Sequence, residues 1–488
     1  MRGELVAATR GNRHHGPVAK IKSVLLASVV AGTMFTCTQA QAKETIDWRA
    51  CPEAPKDHPV RCAAVRVPAD WSTGRGQVSL RIARLPAADV SKRVGVLMFN
   101  PGGPGSGAAG YLTQPLYAER YLGKAVLERF DVVGIDPRGV AGSEPIKCDK
   151  PAHDPAVDRF PADTAGVRAL IAANAAFAQS CHGSAAEHLD TVSVAHDMDA
   201  VRSLLGERQI SFLGVSYGTM LGRAYAERFP DRLRALVLDA IADRSLGAGK
   251  LAIDDAKAVQ DSVNRFAGWC AGQTGCGVDV PEALRSVQDM ADRGQLKAGQ
   301  ANVTAREVQM GVNAFLQSPM LYPNLATALK AAQQGDGTAI HQTGMHTDPW
   351  GYGMYRSIIC QDVDTRGVAA RLPELGRTAR EVAPDLRGYS EFWDIMSGCV
   401  GWPIPAQWQP HPWRATAQLP PTLLVSGAHD VATPRLWAEN TRRQLPNSML
   451  LRWDGDGHAA WPMHNACANA RTVDYLITRQ LPPPSTVC

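Results

Sequence analysis

No repeat and no low-complexity segment interrupts the 488 residues. With an ordinary apolar and charged content, this excludes a collagen-like, coiled-coil or mostly disordered chain. Nor does one sign of charge dominate. The formal net charge is +4, and the excess comes from the first 42 residues, where Arg2, Arg10, Arg13, Lys20 and Lys22 face only Glu4. The remainder is balanced. A neutral body excludes nucleic acid as a partner, because phosphate binding needs a basic face. There is no C-x-x-C pair, and no close histidine pair stands beside cysteines at zinc-ligand spacing, so no metal is expected. Long apolar runs are also missing. The one candidate, Val24 to Phe35, is too short to span a bilayer comfortably.

That run has another reading. Lys20 and Lys22 precede it, and small residues ending Ala40-Gln41-Ala42 follow. A basic flank, a short apolar stretch and an A-x-A site predict a secretory signal peptide over residues 1–42, cleaved after Ala42. The leader before Lys20 is long for a signal, which leaves the true start codon open. Cys37 does not make a lipoprotein site, since Met34-Phe35-Thr36 is not a run of small residues. The mature protein is expected to be secreted, with no stable membrane anchor. Ten of the 11 cysteines then remain, and an even count in an exported chain reads as disulfides. Neighbour pairing would join 51–62, 148–181, 270–276, 360–399 and 467–488, a connectivity that sequence does not determine.

Val78, Leu80 and Ile82 alternate with polar neighbours, as in an edge strand. Short, mostly apolar runs bounded by turn residues follow at Val94–Phe99, Asp131–Ile135, Ile210–Val215, Ala235–Leu238, Thr422–Val425 and Met449–Trp453. These predict a mostly parallel sheet buried on both faces. Helical patterns such as Ala195–Leu205 and Thr219–Arg228 lie between them. The fold class is therefore α/β, a doubly wound sheet with helices on both faces. From about Ser245 to His411 the pattern is helical, with expected helices at 252–270, 281–293, 304–317 and 324–334. We read residues 43–244 as the first part of the core, 245–411 as a helical cap insertion, and 412–488 as the return to the core. A separate C-terminal domain would have only two strands and too little core.

Gly214-Val215-Ser216-Tyr217-Gly218 is a G-x-S-x-G between an expected strand and an expected helix. That context is what a nucleophile elbow requires. A serine hydroxyl needs an adjacent base, itself oriented by an acid. In chain order the acid and then the histidine should follow on loops at strand ends. Asp430 follows Thr422–Val425, and His458 follows Met449–Trp453. Asp239 is a rival acid, and His429 and His464 are rival bases. An oxyanion hole needs two backbone N–H donors. One is Tyr217, next to the nucleophile. The other comes from Asn100-Pro101-Gly102-Gly103-Pro104-Gly105, where the prolines cannot donate; of Gly102, Gly103 and Gly105 we favour Gly103. Gly105-Ser106-Gly107-Ala108-Ala109-Gly110 mimics a dinucleotide fingerprint. However, a Pro-rich turn separates it from its strand, and Asp131 would begin rather than end the next one. No cofactor is expected.

The Asn100–Gly105 loop, the segment Gly134-Ile135-Asp136-Pro137-Arg138-Gly139, the Gly214–Gly218 elbow and the Asp430 and His458 loops together resemble the secreted tripeptidyl aminopeptidases. These belong to the α/β-hydrolase group that includes proline iminopeptidase. Cys51-Pro52 with Cys62, Ile359-Cys360-Gln361-Asp362 and Cys399-Val400-Gly401-Trp402-Pro403 are also similar to that family, so the likeness runs from Trp48 to Cys488. The resemblance implies an α/β-hydrolase fold and release of short peptides from free N-termini. It also implies cap carboxylates that hold the substrate α-ammonium, with Asp362 the first candidate and Glu391 the second. Trp350, Trp393, Trp402, Trp408 and Trp413 could wall the pocket or simply fill core. A carboxylesterase using the same triad is the alternative function, and a non-catalytic binding protein is a third.

Overall fold

The computed structural model describes residues 46–344, 349–414 and 416–488, without the side chains of Pro349 and Trp350. The leader expected over residues 1–42 lies outside them. Among the described residues, a 9-stranded sheet forms the centre. Its strands are β1 (Arg49–Ala50), β2 (Arg61–Val67), β3 (Val78–Leu85), β4 (Gly95–Asn100), β5 (Phe130–Ile135), β6 (Ile210–Val215), β7 (Leu233–Asp239), β8 (Thr422–His429) and β9 (Ser448–Asp456). The spatial order is β1-β2-β3-β5-β4-β6-β7-β8-β9. Pairing is antiparallel from β1 through β3 to β5. From β5 onward every pair is parallel.

One expectation changes here. The alternation of Val78–Ile82 suits an edge strand, but β3 is third from the edge. β2 covers it, with Val65 opposite Leu80 and Ala63 opposite Ile82. β2 itself is hard to see in sequence, because Cys62-Ala63-Ala64 interrupts any alternation of large apolar and polar residues.

The parallel strands are apolar on both faces because both are covered. Met98, Phe212, Leu236 and Leu424 point into one core, and Leu97, Leu213, Val237 and Leu423 into the other. Helices α1 (Thr164–Ala178), α2 (Thr191–Leu204) and α3 (Tyr217–Arg228) follow in chain order between β5 and β7. Asp190 starts α2 by accepting the Ser193 N–H at 2.9 Å, a cap worth about 1 kcal/mol.

β7 and β8 are adjacent and parallel, with Leu236 opposite Thr422. Yet between them the chain runs through α4 (Ala248–Ala271), α5 (Val280–Asp292), α6 (Ala305–Leu316), α7 (Tyr322–Gln333), α8 (Pro349–Ile359), α9 (Leu372–Val382) and α10 (Glu391–Cys399). This excursion adds no strand to the main sheet. Its first helices lie within a few residues of the expected spans. The chain returns with β8, α11 (Arg435–Gln444), β9 and α12 (Ala466–Thr478).

The five disulfides among the described residues join neighbouring cysteines, at 51–62, 148–181, 270–276, 360–399 and 467–488. Cys360–Cys399 fastens the end of α8 to the end of α10. The Gly134–Gly139 segment is structural. Arg138 forms two hydrogen bonds with Asp197, at 2.8 and 2.6 Å, both side chains fully buried. Asp136 accepts the Ala109 and Gly142 amides. No helix among the described residues is long and apolar enough to cross a membrane.

Candidate active site

Ser216 occupies the turn between β6 and α3 with φ 55° and ψ −121°. Such a backbone is costly for a residue with a Cβ and persists only where its surroundings impose it. The glycines are part of that imposition. A Cβ on Gly214 would lie 2.3 Å from the Gly218 carbonyl oxygen, and one on Gly218 would lie 2.6 Å from that of Asn100. The turn therefore closes only without side chains there, and it sets Ser216 at the N-terminus of α3.

The loop after β4 packs against this turn. A Cβ on Gly102 would meet the Ser216 Cβ at 3.2 Å. The Gly102 N–H is already donated to the Asn100 side chain at 3.0 Å, which leaves Gly103 and Gly105 as donors from this loop. Gly103, Ser216 and Tyr217 line one cavity with Tyr355, Glu391, Phe392 and Thr433. It measures about 20 Å³, room for about one water.

The loop after β8 carries Asp430, 2% exposed. Its Oδ1 lies 2.8 Å from His458 Nδ1 and accepts the Ala432 and Thr433 amides at 3.0 and 2.9 Å. Its Oδ2 accepts the Thr433 hydroxyl at 3.1 Å and the Ala459 amide at 3.3 Å. Burial pushes the Asp430 carboxyl up, but His458 and these donors hold it below the ordinary range. Burial likewise lowers His458, yet Asp430, then Glu391 and Asp239, lift it to about 9.

The rivals are engaged elsewhere. Asp239, at the end of β7, accepts the Ala460 and Trp461 amides at 3.2 and 2.7 Å and so fastens the turn just after His458. Burial raises it to about 6. His429 pairs with Asp261 at 2.7 Å. His464 lines a different surface hollow, beside Tyr121 and Trp461. Two residues that sequence reasoning passed over stand close by. Thr433 Oγ1 is 3.5 Å from His458 Nδ1, and its place three residues after Asp430 is the only signal it carries. Asp255 is wholly buried, accepts the Phe392 amide at 2.8 Å with Oδ2 and leaves Oδ1 unpartnered. Burial, and then Glu391, raise its carboxyl well above the ordinary range.

The two cap carboxylates separate. Glu391 lines the Ser216 cavity and accepts the Tyr355 hydroxyl at 2.6 Å; burial raises its pKa. Asp362 does not line it. It is locked to Arg244 at 3.0 Å and to the Thr191 hydroxyl at 2.6 Å, both buried, and close to the Tyr217 hydroxyl. A carboxylate already neutralised in this way is a poor partner for an incoming ammonium, so the first candidate gives way to the second. Trp393, Trp408 and Trp413 are buried in the core, and Trp402 is half-buried against it. Trp393 stacks on Phe160, and Trp408 lies against the Arg244 guanidinium. No described tryptophan lines the Ser216 cavity, and the side chain of Trp350 falls outside the described residues. Among the described residues, no group of three His, Cys, Asp or Glu is placed to hold a metal.

The family model of the alpha/beta hydrolase fold matches residues 95–461. Serine protease Hip1 of Mycobacterium tuberculosis is 31% identical, with 96% of each chain aligned. Carboxylesterase B of the same organism is 32% identical over 90% of this chain and 89% of its own. Tripeptidyl aminopeptidase of Streptomyces coelicolor is 27% identical over 90% of this chain and 84% of its own. The serine at the elbow, the sheet that carries it and relatives aligned almost end to end agree: the chain belongs to the α/β-hydrolase family, as a serine hydrolase among its peptidases.

Proposed function

We propose that the enzyme releases short peptides, tripeptides in the first instance, from free N-termini through Ser216, His458 and Asp430. The observation that carries this is one cavity lined by both Ser216 and the buried carboxylate of Glu391. Ser216 attacks the scissile carbonyl, and His458 takes its proton while Asp430 holds the imidazole. The amides of Gly103 and Tyr217 receive the developing oxyanion. His458 then protonates the leaving amine, and water releases the acyl group by the same steps.

Glu391 anchors the substrate ammonium. An exopeptidase needs such an anchor, since a desolvated ammonium must be paired. Residues 245–411 serve as a cap, and the small cavity means that its helices part to admit a peptide. The chain is exported and its leader removed after Ala42. The disulfides support that reading, because they persist in oxidising surroundings.

The test compares Ala-Pro-Ala-p-nitroanilide with its N-acetylated twin on purified mature protein. Hydrolysis of the free amine alone is expected. Similarity to a carboxylesterase supports the second reading, an esterase with the same triad. Turnover of p-nitrophenyl butyrate with neither anilide cleaved would establish that reading instead.

A further inference from the structure

A cavity of about 750 Å³, far larger than the one at Ser216, lies between a loop that precedes β6 and helices of the segment between β7 and β8. The loop of residues 151–160, the start of α6, and Tyr352, Arg380 and Arg387 line it. It shares no lining residue with the cavity at Ser216. Its size is that of a small-molecule site.

Among the described residues, the buried arginines at its floor outnumber the buried carboxylates they pair with. Arg306 forms an ion pair with Asp394. Arg159 reaches the same carboxylate at 3.6 Å and the Asp394 carbonyl at 2.8 Å. Arg356 stands directly behind, bonded only to the neutral oxygens of Ala152, Asn174 and Gly398. Two guanidiniums thus share one carboxylate, which also accepts the Tyr352 hydroxyl at 2.7 Å, with a third guanidinium nearby. Arg159 is 8% exposed, and its Nε, like that of Arg306, has no hydrogen-bond partner. Burial, and then Arg159, lower Arg356 to about 9.

Among the described residues, no rim carboxylate pairs with Arg159 or Arg306, whose shared ionic partner is Asp394. Arg387 uses Asp289 and Asp292. Asp154 and Asp158 are exposed and cap the amides of Ala156 and Phe160. Glu307 is held in the Thr304 capping box. Arg380 lies over the Phe160 ring at 4.9 Å and forms no ion pair among the described residues. The remaining wall is mixed: Phe160, Met310, Pro151 and Pro155 give it an apolar part, and His153, Asn302, Thr304 and Gln309 a polar one.

Buried cations in excess call for an anion, and a guanidinium fork suits a planar or tetrahedral oxyanion. We propose that this cavity binds an organic anion, a carboxylate or phosphate head on an apolar body, with Arg306 and Arg159 taking the head and the Phe160 side taking the body.

The proposal does not depend on the peptidase reading, and its test keeps the two apart. Phenylacetate, phenyl phosphate and neutral phenylacetamide are titrated by calorimetry into the full chain carrying Ser216→Ala. Saturable binding of either anion but not the amide is expected, and whichever binds identifies the head group. Arg306→Gln should weaken that binding about tenfold or more, while Ser216 in an otherwise intact chain still reacts with a fluorophosphonate. Should Arg306→Gln fail to fold, Ala305→Trp, which fills the mouth, should abolish binding instead. No binding of either anion up to millimolar concentration, or binding that the amide matches or that both variants leave unchanged, overturns the proposal.

Discussion

His458 Nδ1 lies 2.8 Å from Asp430 Oδ1, and the pair moves in opposite senses: Asp430 is held below its ordinary range and His458 is lifted to about 9. The shift has two consequences of opposite sign. As a base His458 must be neutral, so kcat/KM should climb with pH through the range above 7 and level off near 9. As a stabilising group it must be charged. Its folded value exceeds the unfolded one of about 6.5, so its contribution is complete below about 6.5 and is lost as pH rises through about 9. Asp430, depressed, contributes above its unfolded value of about 3.9 and loses that contribution as pH falls below it. Melting temperature should therefore fall over the same alkaline interval in which activity rises. Asp430→Asn should lower kcat by about three to four orders of magnitude and move the limb toward acid. A limb that stays in place in this variant would refute the assignment.

Asp239 tests whether a carboxylate can matter to the site without touching His458. Both its oxygens accept amides, those of Ala460 and Trp461, and hold the turn just after His458. Asp239→Asn replaces one acceptor by a donor facing an N–H. Steady-state kinetics should show kcat reduced by about tenfold to a hundredfold with KM little changed, since a base displaced by a fraction of an ångström fails in the transition state rather than in binding. A change confined to KM would mean that Asp239 acts on the substrate instead.

What was legible in sequence was local. The elbow is a five-residue motif whose glycines answer contacts within the turn itself, and the Asp430 and His458 loops follow strands recognisable by apolar runs. What was hidden depends on distant partners. Asp362 looked like a free cap carboxylate because Arg244, its counter-charge, lies far earlier in the chain. Asp239 looked like a rival acid because its acceptor role needs Ala460 and Trp461, brought across from beyond β9. β3 looked like an edge because β2 carries two alanines where large apolar residues would announce a strand. The Asn100 side chain that occupies the Gly102 amide removes one of the three loop donors, and no spacing rule could have weighed it.

Glu391→Gln removes the charge at the cavity wall but keeps the shape and the contact with Tyr355. Against a free-amine tripeptide anilide, kcat/KM should fall by about tenfold to a hundredfold. Against a p-nitrophenyl ester, which has no ammonium to place, it should change little. The split separates an ammonium anchor from a residue that merely supports the cavity, since the latter would lower both. Because burial already raises the Glu391 carboxyl, lowering the pH should reproduce the substitution in the native enzyme. KM for the free-amine substrate should rise as Glu391 takes up a proton.

Asp362 should behave in the opposite way. Its carboxylate and the Arg244 guanidinium are both at most 2% exposed as side chains, so removing one leaves the other charged and desolvated. Asp362→Ala should cost about 3–5 kcal/mol in denaturant unfolding, and Arg244→Met a comparable amount. The double variant should be less unstable than the sum of the two, because no unpaired charge is left inside. Preference for a free over an acetylated N-terminus should survive in whatever folded enzyme remains. Loss of that preference at unchanged stability would return Asp362 to the substrate site and remove Glu391 as the sole anchor.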